Sequence, residues 1–64
     1  PTHDKIYVNE KVDLKVFNSL GDIIASGKDV NTLDVSKINS GIYILHIIYN
    51  DKQYIRNIIK KWNL

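Results

Sequence analysis

The feature that most constrains this chain is the run GIYILHIIY at Gly41–Tyr49, in which apolar side chains fill both alternating positions. In an extended strand Tyr43, Leu45 and Ile47 lie on one face and Ile42, Ile44 and Ile48 on the other, the pattern of a strand that sits centrally and packs on both sides. His46 interrupts the run, and its length is that of a buried strand, far short of the ~20 apolar residues a membrane-spanning helix needs. β-Branched residues recur elsewhere, at Val8, Val12, Val16, Val30 and Val35. Such side chains suit a pleated, packed surface better than a helix.

Shorter segments surround this strand. Residues 5–8 alternate with Ile6 and Val8 on one face, and residues 12–18 repeat the pattern with Leu14 and Val16 inward. Asn18, Ser19, Leu20 and Gly21 supply turn chemistry, after which residues 22–26 return with Ile23 and Ile24 as the second arm of a hairpin. Gly27, Lys28 and Asp29 break the pattern, residues 32–35 form a brief extended piece, and residues 36–40 read as a polar loop plugged by Ile38. Beyond Tyr49, Asn50 and Asp51 suit a tight turn.

The closing segment, residues 53–61, has two readings. Ile55, Ile58, Ile59 and Trp62 fall at i, i+3, i+4 and i+7, the helical template, whereas as a strand Ile55 and Ile59 share one face and Ile58 takes the other. Its β-branched content, the preceding turn and the central strand's need for a second partner favour the strand. Short strands at close intervals indicate a sandwich or barrel. With 64 residues, no internal repeat and no linker, residues 1–64 are expected to form one domain.

Little in the chain points to catalysis. The histidines are His3, near the start, and His46, inside the central strand, and neither is placed to activate a nucleophile. The carboxylates fall mostly at turns and strand edges, where side-chain to backbone hydrogen bonds account for them. Gly21, Gly27 and Gly41 are too scattered to cradle a phosphate. The chain is therefore expected not to be an enzyme and to hold neither metal nor cofactor. No cysteine is present, and the net charge of +2 is too small to imply a nucleic-acid partner. Positive charge does gather towards the end, at Lys52, Arg56, Lys60 and Lys61. Tyr49, Tyr54 and Trp62 beside these cations resemble a base-stacking platform, but packing and solubility explain them more simply. Pro1 cannot be an initiating residue, so the chain is expected to belong to a longer one.

Three stretches read together carry a family resemblance: residues 13–21 (DLKVFNSLG), 33–45 (LDVSKINSGIYIL) and 54–61 (YIRNIIKK). They resemble the type A C-terminal sorting domain of the type IX secretion system of the Bacteroidetes. That family shows a hydrophobic strand ending in an aromatic residue, then Leu-Gly, a Leu-Asp-hydrophobic-Ser loop, a Ser-Gly-hydrophobic-Tyr strand and a lysine-rich finish. Residues 1–6 look like the last proline of its opening Tyr-Pro-Asn-Pro motif and the start of the adjoining strand, so the first strand would be cut at Pro1.

The resemblance implies an all-β, immunoglobulin-like sandwich of about six to seven short strands. It implies a secretion signal that carries an attached cargo through the periplasm and outer membrane to the cell surface. The implied partners are an outer-membrane barrel shuttle protein, the translocon, a surface sortase that cuts ahead of the domain, and the upstream cargo. Leu20, Gly21, Ser40, Gly41, Tyr43 and Lys60 match family positions. The residues expected to serve partner recognition are Gly41, Tyr43, Arg56, Lys60, Lys61 and Trp62, with the last strand adding an edge to a partner. Exposed terminal charge does little for a fold, which favours recognition for Lys60 and Lys61. Trp62, Asn63 and Leu64 run past the family's usual finish. A first strand cut at Pro1 leaves an unpaired edge that would also allow a homodimer. The alternative function is a carbohydrate-binding or adhesive module, for which Tyr7, Tyr49, Tyr54 and Trp62 would have to form the sugar platform.

Overall fold

The computed structural model describes residues 5–60. Within them lie four strands: β1 (Lys5–Phe17), β2 (Ile23–Asp34), β3 (Gly41–Tyr49) and β4 (Lys52–Lys60). All pair antiparallel in one open sheet of order β2-β1-β3-β4. The all-β expectation holds, and β3 has the expected bounds and central place. The closing segment is a strand, because its outer position gives β3 the second partner that helical periodicity would have denied it.

Among the described residues the strands number four and lie in one sheet, where six to seven were expected. The breaks read at residues 9–11 and 27–31 are bulges inside continuous strands. Tyr7 faces Thr32 and Val12 faces Val30, so residues 8–11 of β1 stand opposite the single residue Asn31. One residue beyond Val12, Asp13 stands opposite both Lys28 and Asp29, and Asp29 takes a φ of 56° while its N–H donates to Asp13 Oδ1 at 3.0 Å. Bulges of this kind bend a strand and increase its twist.

The register shows where the bend leads. β1 leaves β3 at Asp13 opposite Ile48, near the turn into β4, and its first residues continue as a ribbon with β2 up to Lys5 opposite Asp34. Yet Val35, the next residue, accepts a hydrogen bond through its carbonyl from Lys60 Nζ, and Lys60 pairs with Gly41 at the other end of β3. The ribbon must therefore fold back along the length of β3. It brings Ile6, Leu33 and Val35 into one core with Val12, Leu14, Val16, Tyr43 and Leu45, and Val8, Ile38 and Ile58 pack against it. Full burial of a side chain such as Leu14 or Val16 contributes about 1.5–3 kcal/mol.

Gly27 leaves no room for a side chain. A Cβ there would lie 2.8 Å from Val30 Cγ2 and 3.3 Å from Leu33 Cδ1. At the opposite hairpin, Asn50 and Asp51 both adopt left-handed backbone, φ 52° and 63°, the two-residue turn whose twist matches its flanking strands. Asn18 organises the turn between β1 and β2: its Oδ1 accepts from the N–H groups of Leu20 and Asp22.

Candidate recognition surface

β3 and β4 pair without a bulge from Gly41 opposite Lys60 to Tyr49 opposite Lys52. Directly opposed residues of an antiparallel pair share a face, so the register sorts the side chains of both strands. Tyr43, Leu45 and Ile47 face the core together with Ile58, Arg56 and Tyr54. Ile42, Ile44, His46 and Ile48 lie on the reverse face with Ile59, Asn57, Ile55 and Gln53. From β1, Phe17 adjoins Ile44 on that reverse face, and Ile23 of β2 adjoins Phe17.

The reverse face corrects the expectation that β3 is packed on both sides. Ile42 is 70% exposed and Ile55 62%, and Ile23, Ile44 and Ile59 are exposed as well. The back-folded ribbon covers one face only, which leaves the second apolar face open. His46 stands at the margin of this face, its Nε2 3.0 Å from Gln53 Oε1 and its ring centroid 6.2 Å from that of Phe17. That is the sheet-facing histidine its place in the strand suggests.

β4 is also an edge. Its inner side pairs with β3, and its outer side has no partner among the described residues. Neither β3 nor β4 contains an aspartate or glutamate, whereas β4 carries Lys52, Arg56 and Lys60. Arg56 is exposed, with Nη1 donating to the Ile55 carbonyl at 2.9 Å.

Lys60 departs from its expected place. It is only 2% exposed, the opposite of a displayed terminal charge. Alternation along β4 puts it on the core face with Ile58, opposite Gly41, which has no side chain. There its ammonium donates to the Val35 carbonyl, which also accepts from the Ile38 N–H. Lys60 thus ties the end of β4 to the loop after β2. Tyr43 ties the same loop from β3, its hydroxyl donating to the Asn39 carbonyl at 2.6 Å. Gly41, between loop and strand, has a φ of 155°, a backbone that side-chain-bearing residues rarely adopt. Of the residues expected to meet a partner, Gly41, Tyr43 and Lys60 are grouped at this end of the sheet and Arg56 lies on the open edge. Lys61 and Trp62 lie outside the described residues.

Sequence reasoning misses the reverse-face isoleucines as a surface, and it misses the role of Lys52 on the edge. The signal is present, since both faces of Gly41–Tyr49 are apolar, but alternation alone reads it as burial on both sides. The aromatic residues form no single sugar platform. Tyr7 alternates with the buried Ile6 and points away from the core, whereas Tyr54 shares the core-side face, and the Tyr49 hydroxyl donates to Glu10 Oε2 at 2.8 Å. That hydrogen bond, followed by the charge of Glu10, raises the phenol pKa of Tyr49.

Comparison with known families adds one finding to this geometry. The secretion system C-terminal sorting domain family matches residues 1–61. No curated protein and no solved structure matches the chain. The matched family is a sorting signal rather than a catalytic one. The chain belongs to that family, the C-terminal signals that send type IX secretion cargo to the cell surface or out of the cell.

Proposed function

We propose that residues 1–64 act as one sorting domain, read by an outer-membrane barrel shuttle protein through β4 and the basic residues at its end. In this reading the translocon is the route, the attached cargo is the passenger, and a surface sortase cuts ahead of the domain. Arg56, Lys61 and Trp62 make contact, and Gly41, Tyr43 and Lys60 hold the end of β4 in place for them. The observation that carries the reading is the open edge of β4, lined by cations and free of carboxylates. Exposed surface of that kind contributes little to a fold, whereas a partner of opposite charge gains from it in encounter rate and specificity. The immunoglobulin-like sandwich implied by the resemblance belongs to the same reading, supported by the ribbon folded back over β3 around a single core.

Fusing residues 1–64 to the C-terminus of a periplasmic reporter in a type IX-competent host tests it. The reporter is expected at the cell surface or in the medium, and the fusion is expected to co-purify with the shuttle barrel. Removing residues 61–64, which leaves Lys60 in place, should abolish both. Export and co-purification unaffected by that deletion would show that the shuttle does not read this end.

A further inference from the structure

The open edge of β4 has a definite chemical pattern, and the pattern specifies what can lie against it. We infer that β4 accepts an added β-strand from a partner segment in which acidic and apolar residues alternate. The inference rests on the reading that β4 carries the recognition, and it names the chemistry of what is recognised.

A sheet edge presents N–H and C=O groups that can pair with an extended chain; on β4 the Ile55 carbonyl accepts from Arg56 Nη1, a bond that an incoming strand displaces. Side chains then decide which chain. On one face of β4 the exposed residues are Lys52, Tyr54 and Arg56; on the other they are Gln53, Ile55, Asn57 and Ile59. A strand laid alongside would place every second residue beside Lys52 and Arg56 and the intervening ones beside Ile55 and Ile59. Opposite charges and β-branched pairs across strands are favourable, and like charges directly opposite are not. The partner strand is therefore acidic on the first face and apolar on the second. Its apolar residues flank Ile55 and Ile59, burying the outer sides of those two side chains and continuing the apolar surface that Ile42 and Ile44 begin.

The same pattern disfavours a second copy of this chain. If two β4 strands paired antiparallel over their full length with both sheet faces continuous, Arg56 would stand opposite Arg56 and Lys52 opposite Lys60. Pairing with β2 of another copy meets two bulges on the β2 side, opposite Asp13 and between Val16 and Phe17. Neither edge of this chain complements β4 as an alternating acidic strand does.

Three blocked nine-residue peptides test this against the 64-residue chain: alternating Glu and Val, alternating Lys and Val, and the Glu-Val peptide with a central proline. Binding is followed through the backbone amide signals in NMR. The Glu-Val peptide should bind roughly tenfold more tightly than the Lys-Val peptide, shifting β4 amides and sparing those of β2. The proline peptide should bind weakly, because it cannot complete the ladder. Arg56→Glu, on an exposed position, sets one carboxylate against Lys52 and should abolish the preference for the Glu-Val peptide with the fold unchanged by circular dichroism. Equal binding of the three peptides, or shifts confined to β2, would overturn the inference. So would a dimer in sedimentation whose β4 amides are protected without any peptide. Normal reporter export with no preference for the acidic peptide would overturn strand addition and leave the sorting role standing.

Discussion

β1 and β2 form a long ribbon, bulged in three places and mixed in charge, whereas β3 and β4 form a shorter and regular ribbon whose strands hold no carboxylate side chain. The first carries four cations, Lys5, Lys11, Lys15 and Lys28, against four acids, Glu10, Asp13, Asp29 and Asp34. Its outer strand, β2, is interrupted by bulges that twist an edge away from would-be partners. β4 has no such bulge, and its exposed charges are all of one sign. Its register with β3 is unbroken and its outer side is open among the described residues. The difference teaches which part of the sheet maintains the fold and which part is available to a partner. The β1–β2 ribbon bends to bury the core, and in doing so it uses its apolar face internally. The β3–β4 ribbon lends one face to that core and keeps a second apolar face and an open edge.

If this division holds, substitutions in the two ribbons should part company. The largest effect is expected from Leu14→Ala, which empties a fully buried site at the centre of the core. A loss of about 2–5 kcal/mol is expected. In a domain of this size each kcal/mol lowers Tm by roughly 4–8 °C, so thermal unfolding by circular dichroism will show it. Gly27→Ala comes next, at about 1–3 kcal/mol from overpacking, because the new methyl would meet Val30 Cγ2 at 2.8 Å. Urea denaturation should place it between Leu14→Ala and the wild type.

Lys60→Ala should cost about 1–3 kcal/mol, since it leaves the buried Val35 carbonyl without the ammonium donor. Hydrogen exchange should then quicken at the end of β4 and in residues 35–40 before it quickens in β1. A pattern that is uniform across the sheet would contradict the role of Lys60 as a local tie between the two ribbons.

These contrasts also mark what residues alone can reveal. Gly41–Tyr49 is legible to its ends because its hydrophobicity and its flanking turn residues agree. The corner at residues 8–11 is not, because polar residues in an extended chain look the same whether a strand ends or bends. A bend is decided by what the strand packs on afterwards, here Tyr43 and Leu45, which are distant in sequence. Lys60 escapes a sequence reading for a related reason. Charge predicts exposure unless a buried carbonyl waits at the right place, and Val35 is brought there only by the fold-back. The open face of β3 is hidden by the ambiguity of a doubly apolar strand, which can mean burial on both sides or a surface kept for a partner.

The smallest effect concerns Asp34. Its carboxylate accepts from the Ser36 N–H at 2.8 Å, and hydrogen bonds from Ser36, side chain first and then backbone, lower its pKa below the ordinary carboxylate value. A depressed folded-state pKa adds stability above the unfolded value, and that increment is lost as pH falls through the folded one. Asp34→Asn should therefore be slightly less stable than wild type at neutral pH, with the gap closing in acid. Thermal unfolding of both proteins across that range checks the sign, and a gap that widens in acid would refute it.

The central claim is that β4 is read while the β1–β2 ribbon maintains the fold, and Arg56→Glu tests it most directly. The substitution lies on the exposed edge, so stability should stay within about 0.5 kcal/mol of wild type. Export of a fused reporter should fall sharply, with the fusion accumulating in the periplasm. Unchanged melting with wild-type export would contradict the account.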